Sequence, residues 1–336
     1  GTSTFNFNGG VLKAGASANA NFLSGLNSAV VQAGGAFIDT NGQTVAIAQV
    51  LDDGGGNLTK QGTGTLLLNG VSNYLGSTTV AAGTLGGTGS ISGPLQVDAT
   101  ASVNPGASAG TFTVGDAATI DGTYVCEVDG GTADQLAVAG ALTINTGAVL
   151  DFNELSAPAA SALIIATYGT LSGTFTTVND LPAGYTLDYN YLGGNQIALV
   201  QTATPYSTWA NSYGLDPFTD GAPGVDEDND GQNNATEFAL GGDPTSGSNN
   251  AKVYSLIADS DGDGDTDSEL LMTIAVRTST PAFAGSPSPT ATMDGMTYTI
   301  QGSTDLSAFT TTVNPVGPAT TGLPAAPSGY EHRTFS

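Results

Sequence analysis

The sequence predicts an all-β chain: a parallel β-solenoid (β-helix) over residues 1–202, an acidic hinge with a short helix over 203–269, and a small β-sandwich over 270–336. Three observations predict this. Glycine supplies 48 of 336 residues, and the many Thr, Ser and Asn among them favour tight turns. Hydrophobic residues make up 39% of the chain, enough to fill a core and too many for a disordered polymer. Up to about Thr202 these residues come in short alternating runs and not at helical spacing.

The runs Thr4-Phe5-Asn6-Phe7, Thr65-Leu66-Leu67-Leu68, Ser77-Thr78-Thr79-Val80 and Leu95-Gln96-Val97 each end at or near Gly, Asn or Asp. Strands this short cannot bury an apolar face alone, so the regular punctuation implies rungs that stack on one another. The sole cysteine, Cys126, sits in the alternating Tyr124-Val125-Cys126-Glu127-Val128 and reads as a buried thiol in a chain that forms no internal disulfide. Near Pro205-Tyr206-Ser207-Thr208-Trp209 the character changes. Of 30 carboxylates, 14 lie between Asp216 and Glu269. Beyond them, 270–276 (LLMTIAV) and 296–306 (MTYTIQGSTDL) alternate as sandwich strands, with Met296, Tyr298 and Ile300 facing inward. A proline-rich loop over 281–289 separates the two, and 329–336 (GYEHRTFS) begins a further strand.

The segment from Leu58 to Leu85 resembles the autotransporter-associated β-strand repeat. The resemblance rests on the Lys60-Gln61-Gly62-Thr63-Gly64-Thr65-Leu66 opening, the Asn73-Tyr74-Leu75-Gly76 turn and the Thr78-Thr79-Val80 to Ala82-Gly83-Thr84-Leu85 close. It implies a passenger-type parallel β-solenoid in a secreted protein of the bacterial cell surface; no translocating barrel follows. Residues 206–310 also resemble a C-terminal region of large secreted bacterial surface proteins, which implies export and display without catalysis. The start at Gly1, with no signal peptide, suggests a piece of a longer precursor.

Asp226, Asp228, Asp230, Gly231 and Glu237 occupy positions 1, 3, 5, 6 and 12 of D-x-D-x-D-G-x₅-E. Alternating carboxylates bring three oxygens to one point, the glycine permits the sharp turn, and the glutamate closes the shell. Gln232 offers a main-chain carbonyl, Asn234 acts through a water, and Asp243 is near enough to be a further ligand. These hard oxygens select Ca²⁺. The spacing predicts a helix over 234–240, ended by Gly241-Gly242, and none convincing before Asp226. A second run, Asp259, Asp261, Asp263, Asp265 and Glu269, alternates similarly but carries Leu270 at position 12. It reads as a thrombospondin- or dockerin-like calcium loop, with a plain solvated loop as the alternative. Calcium is expected to order this hinge.

Five Lys+Arg against 30 Asp+Glu give a formal net charge of −25, which disfavours nucleic acid and anionic membranes as partners. Nor does any apolar run reach the length of a membrane span. His332 and Cys126 are the only residues of their kinds, too few for a structural zinc site, and a Ser-His-Asp triad would have to be built on His332 near the C-terminus without a nucleophile-elbow motif. Asp129, Asp134 and Asp151 could line one face for polysaccharide chemistry, but no cluster of Arg or Lys accompanies them, Lys13 and Lys60 being the only ones in the solenoid. The sequence thus points away from an enzyme and toward an extracellular structural protein. Its expected partners are copies of itself, joined head to tail through exposed strands into a fibre or surface layer. The rival is an adhesin for surface glycans, with Tyr74, Tyr189, Tyr191 and Trp209 as stacking platforms.

Overall fold

The computed structural model describes residues 1–258 and 269–336. The chain divides into two compact units, Gly1–Thr202 and Ala203–Ser336.

The first unit is a parallel β-solenoid, as its sequence predicts. Strands return to the same side once per coil and pair in parallel, building one eight-stranded sheet and a nine-stranded one that also takes in the short strand Thr132–Ala133, antiparallel to Thr123–Asp129. The third side is split between a three-stranded sheet in the early coils and a six-stranded sheet in the later ones. The alternation seen in the sequence becomes columns of side chains running through the rungs, spaced by the strand separation of about 4.8 Å. One inward column reads Ile38, Lys60, Val80, Val97, Ile120, Ile144 from strand to strand. A second reads Val45, Leu66, Leu85, Val103, Tyr124, Leu150. The outward residues beside the first column include Thr59, Thr79, Gln96, Thr119 and Thr143. Aliphatic residues inside and hydroxyls outside follow directly from the period of two. Cys126 is buried in the same interior, and burial pushes its thiol well above the usual range. The final coils depart from parallel pairing: Gln196–Gln201 runs antiparallel to both Ala162–Thr167 and Tyr185–Asp188.

Lys60 is the exception in the first column. Its side chain is 0% exposed, between Ile38 and Val80. The ammonium turns to the corner between two sheets and donates to three carbonyls: Gln61 O at 3.0 Å, Gly62 O at 2.7 Å and Ala82 O at 2.9 Å. Burial draws its pKa from 10.5 down to about 8, opposed by the Asp39 charge, so it stays protonated at neutral pH. Gly83 completes this corner. Its φ is +69°, and a Cβ there would sit on Gly64 O, 2.7 Å from Gly62 O and 2.8 Å from Lys60 Nζ. Gly83→Ala is therefore expected to cost at least about 2 kcal/mol, from strained backbone plus overpacking. Chemical denaturation checks this.

In the second unit, helix α1 (Pro205–Ser212) and helix α2 (Asn234–Leu240) pack through Trp209, Ala210, Leu215 and Phe238. A four-stranded antiparallel sheet follows, in the order Val253–Ala258, Glu269–Arg277, Tyr330–Phe335, Pro315–Val316, with a separate hairpin of Thr290–Met293 and Met296–Thr299. Ile274, Val276, Phe283, Tyr298, Ile300 and Phe335 form its core, against which Met296 and α2 residues Ala239 and Leu240 also pack. The inward set expected at 296–300 is thus observed. Helix α1 corrects the expectation that no helix precedes Asp226. Its signal was present as a capping box: Ser207 N donates to Thr204 Oγ1 at 3.0 Å and Thr204 N to Ser207 Oγ at 2.8 Å, with Pro205 at the first helical position.

Candidate metal centre

The loop before α2 folds back because aspartate side chains capture main-chain amides ahead of them. Asp226 accepts from the amides of Asp230 at 3.2 Å and Gly231 at 3.0 Å. Asp228 accepts from Asp230 N at 3.2 Å, and Asp230 from Gln232 N at 2.8 Å. Asn229 and Gly231 take positive φ, +61° and +94°, which makes the tight reversal between the carboxylates. One carboxylate oxygen from each of Asp226, Asp228 and Asp230 lies within 4.8 Å of the others. Three aspartates brought this close could hold a metal ion.

Helix α2 supplies the fourth acid. Asn233 caps it, accepting from Thr236 N at 2.9 Å, and the left-handed Gly241 ends it. This places Glu237, 1% exposed, near enough to the aspartates to feel their charge. Among the described residues its Oε1 has no hydrogen-bond donor, and neither do Asp228 Oδ2 and Asp230 Oδ2, all three atoms buried. Burial first, then the charges of Asp228, Asp230, Asp243 and Asp226, raise the Glu237 carboxyl from 4.5 to about 7. Buried acceptors without donors among the described residues, near a glutamate that resists ionisation, are what a bound divalent cation would satisfy.

The surrounding residues divide clearly. The Gln232 side chain is engaged elsewhere, accepting from Ala251 N at 2.8 Å, which leaves its main-chain carbonyl to offer. Asn234 does more than the sequence showed. Its Nδ2 donates to Asp220 O at 2.9 Å and Ala222 O at 3.0 Å, clamping the approach to the loop, while its buried Oδ1 finds no partner among the described residues. Asp243 turns to its own turn, accepting from Thr245 N at 3.1 Å and Thr245 Oγ1 at 2.8 Å. Asp259, Asp261, Asp263 and Asp265 lie outside the described residues. Glu269 opens the strand Glu269–Arg277.

Two of the other sequence-derived groupings come apart. Tyr74 is fully buried with its hydroxyl 2.6 Å from Thr78 Oγ1, and Trp209 belongs to the α1–α2 core, so neither is a stacking platform. Tyr189 is half-buried and accepts from Phe175 N at 3.0 Å. Asp134 is buried, accepting from the amides of Gly110 at 2.9 Å and Glu127 at 3.0 Å, whereas Asp129 is exposed; the two do not share a face. Burial raises Asp134 to about 7.

The Glu237 shift has a measurable consequence. Without metal, the folded state keeps a proton on Glu237 that the unfolded state gives up above pH 4.5. Stability in chelator should then fall as pH rises from about 4.5 to about 7. Thermal melts across that range check this, and calcium should flatten the slope by holding Glu237 ionised.

No described helix is long and apolar enough to cross a membrane. Compared with protein-family models and with curated proteins, the sequence matches none.

Proposed function

We propose that this protein is a calcium-stabilised structural component of an extracellular assembly, displayed at a bacterial surface and without catalytic activity. The observations that support calcium most directly are the convergent carboxylates of Asp226, Asp228 and Asp230 and the nearby Glu237, a buried carboxyl that feels their charge and has an oxygen unpaired among the described residues. Asp226, Asp228, Asp230 and Glu237 would hold the ion through carboxylate oxygens and Gln232 through its carbonyl, in the manner of an EF-hand or dockerin loop. The ion would supply neutralising charge, and the chain would supply a loop already turned by its own Asx bonds.

The structural reading is supported by the solenoid. Its interior columns couple each rung to the next, which suits a stiff element. Among the described residues, Thr4–Phe7, Val11–Lys13 and Asn19–Leu23 are each bonded to a neighbouring strand along one side only. Rungs of another copy, presented in the same parallel register, would continue these sheets, and such a head-to-tail contact propagates when its rotation does not close. Negative-stain electron microscopy of concentrated protein tests this. Filaments or sheets with calcium, dispersed by chelator, are expected; monomers alone in both conditions would contradict it.

A further inference from the structure

We infer that α2 couples the proposed cation site to the antiparallel strands of the second unit, so that calcium at Asp226–Glu237 stabilises strands that carry none of its ligands. The coupling rests on the calcium site proposed above and is visible in how the helix ends. A seven-residue helix is too short to persist alone in water. The last four carbonyls of any helix lack partners within it. Here all four are satisfied from outside the helix. Gly242 N donates to Glu237 O at 2.9 Å, the Tyr330 hydroxyl to Phe238 O at 2.7 Å, the Tyr298 hydroxyl to Ala239 O at 2.8 Å and Lys252 N to Leu240 O at 2.8 Å. Tyr298 and Tyr330 come from two different strands, and Lys252 leads directly into a third, Val253–Ala258. A fourth strand ends at Arg277, whose guanidinium lies 4.7 Å from the Phe238 ring centre and 5.1 Å from that of Tyr330. Arg277 N also donates to the Tyr298 hydroxyl at 3.2 Å.

Glu237 immediately precedes Phe238, Ala239 and Leu240, so seating the helix on these strands also sets the buried Glu237 carboxyl near Asp226, Asp228 and Asp230. Without a cation, repulsion among these carboxylates opposes the seat; a cation between them reverses the sign. A second link runs beside the helix: the Gln232 side chain, in the aspartate loop, accepts from Ala251 N at 2.8 Å, one residue before Lys252. Loop and strands therefore bias one element. The apparent calcium affinity is reduced by the fraction of molecules in which α2 is not seated. Tyr298 and Tyr330 ligate nothing, yet they set that fraction, and linkage makes the effect reciprocal.

Hydrogen exchange on the full chain, in calcium and in chelator, reads the coupling in the parent protein. Calcium is expected to slow exchange in Met296–Thr299 and Tyr330–Phe335 and to leave the solenoid strands unchanged. Calorimetric titration with calcium then reads the reverse direction in Tyr298→Phe and Tyr330→Phe, each of which keeps the ring and removes one donor from an α2 carbonyl. Each variant should bind calcium about three- to tenfold more weakly than the parent, the effect of one lost hydrogen bond passed through the helix. Slowing confined to residues 226–240, or parent-like affinity in both variants, would overturn the coupling while leaving the calcium site standing. A parent that binds no calcium would overturn both.

Discussion

Replacing Lys60 by alanine should lower the stability of the solenoid by about 3–5 kcal/mol, the range for losing a large core side chain together with buried polar contacts. Two losses combine. The column between Ile38 and Val80 loses its packing, and the carbonyls of Gly62 and Ala82 lose their only donor among the described residues. Gln61 O keeps a bond from Thr40 N at 3.3 Å, so its loss is smaller. Lys60→Met separates the terms, because methionine refills the column and donates nothing. It should cost about 1–3 kcal/mol, the price of orphaned carbonyls alone. Chemical denaturation followed by far-ultraviolet circular dichroism measures both variants. The opposing term is desolvation of the ammonium, visible in a pKa drawn down to about 8. If Lys60→Met proves as stable as the parent, desolvation cancels the three hydrogen bonds, and the lysine does not hold the corner.

Removal of calcium should lower the melting temperature of the second unit by about 10 °C. At a calcium concentration a hundredfold above Kd the linkage is worth about 2.7 kcal/mol, and a domain of this size shifts a few degrees per kcal/mol. Glu237→Gln distinguishes metal binding from a merely structural acid. Glutamine preserves shape and removes the charge that Asp228 and Asp230 oppose, so the chelated variant should be at least as stable as the chelated parent. Its stabilisation by calcium should nevertheless be largely lost. A variant destabilised equally with and without calcium would assign Glu237 to packing.

Much of the solenoid was legible because its period is local. Leu58-Thr59-Lys60 alternates in, out, in, and the structure places it so. What a charged residue does at an inward position was not legible, since the three acceptors of Lys60 come from a corner and from the next rung. The burial of Tyr74 is hard to read from spacing for a related reason: its turn offers no period from which to infer that the ring points inward onto Thr78. The aspartate loop was legible, because Asx turns and ligand spacing lie within twelve residues. The clamp from Asn234 back to Asp220 and Ala222 depends on how the preceding loop returns, which no spacing encodes. Helix α1 is encoded locally, by the capping box of Thr204 and Ser207 with Pro205 between them.

Terbium luminescence sensitised by the protein tests the metal centre most directly. Trp209 is the only tryptophan, and its ring packs 5.4 Å from that of Phe238, the residue after Glu237. Terbium, a hard ion that takes the same oxygen ligands as calcium, should give saturable emission on tryptophan excitation. Calcium should compete it away, and Asp230→Ala or Glu237→Gln should remove most of it. Emission unchanged in both variants would contradict a metal site built from Asp226, Asp228, Asp230 and Glu237.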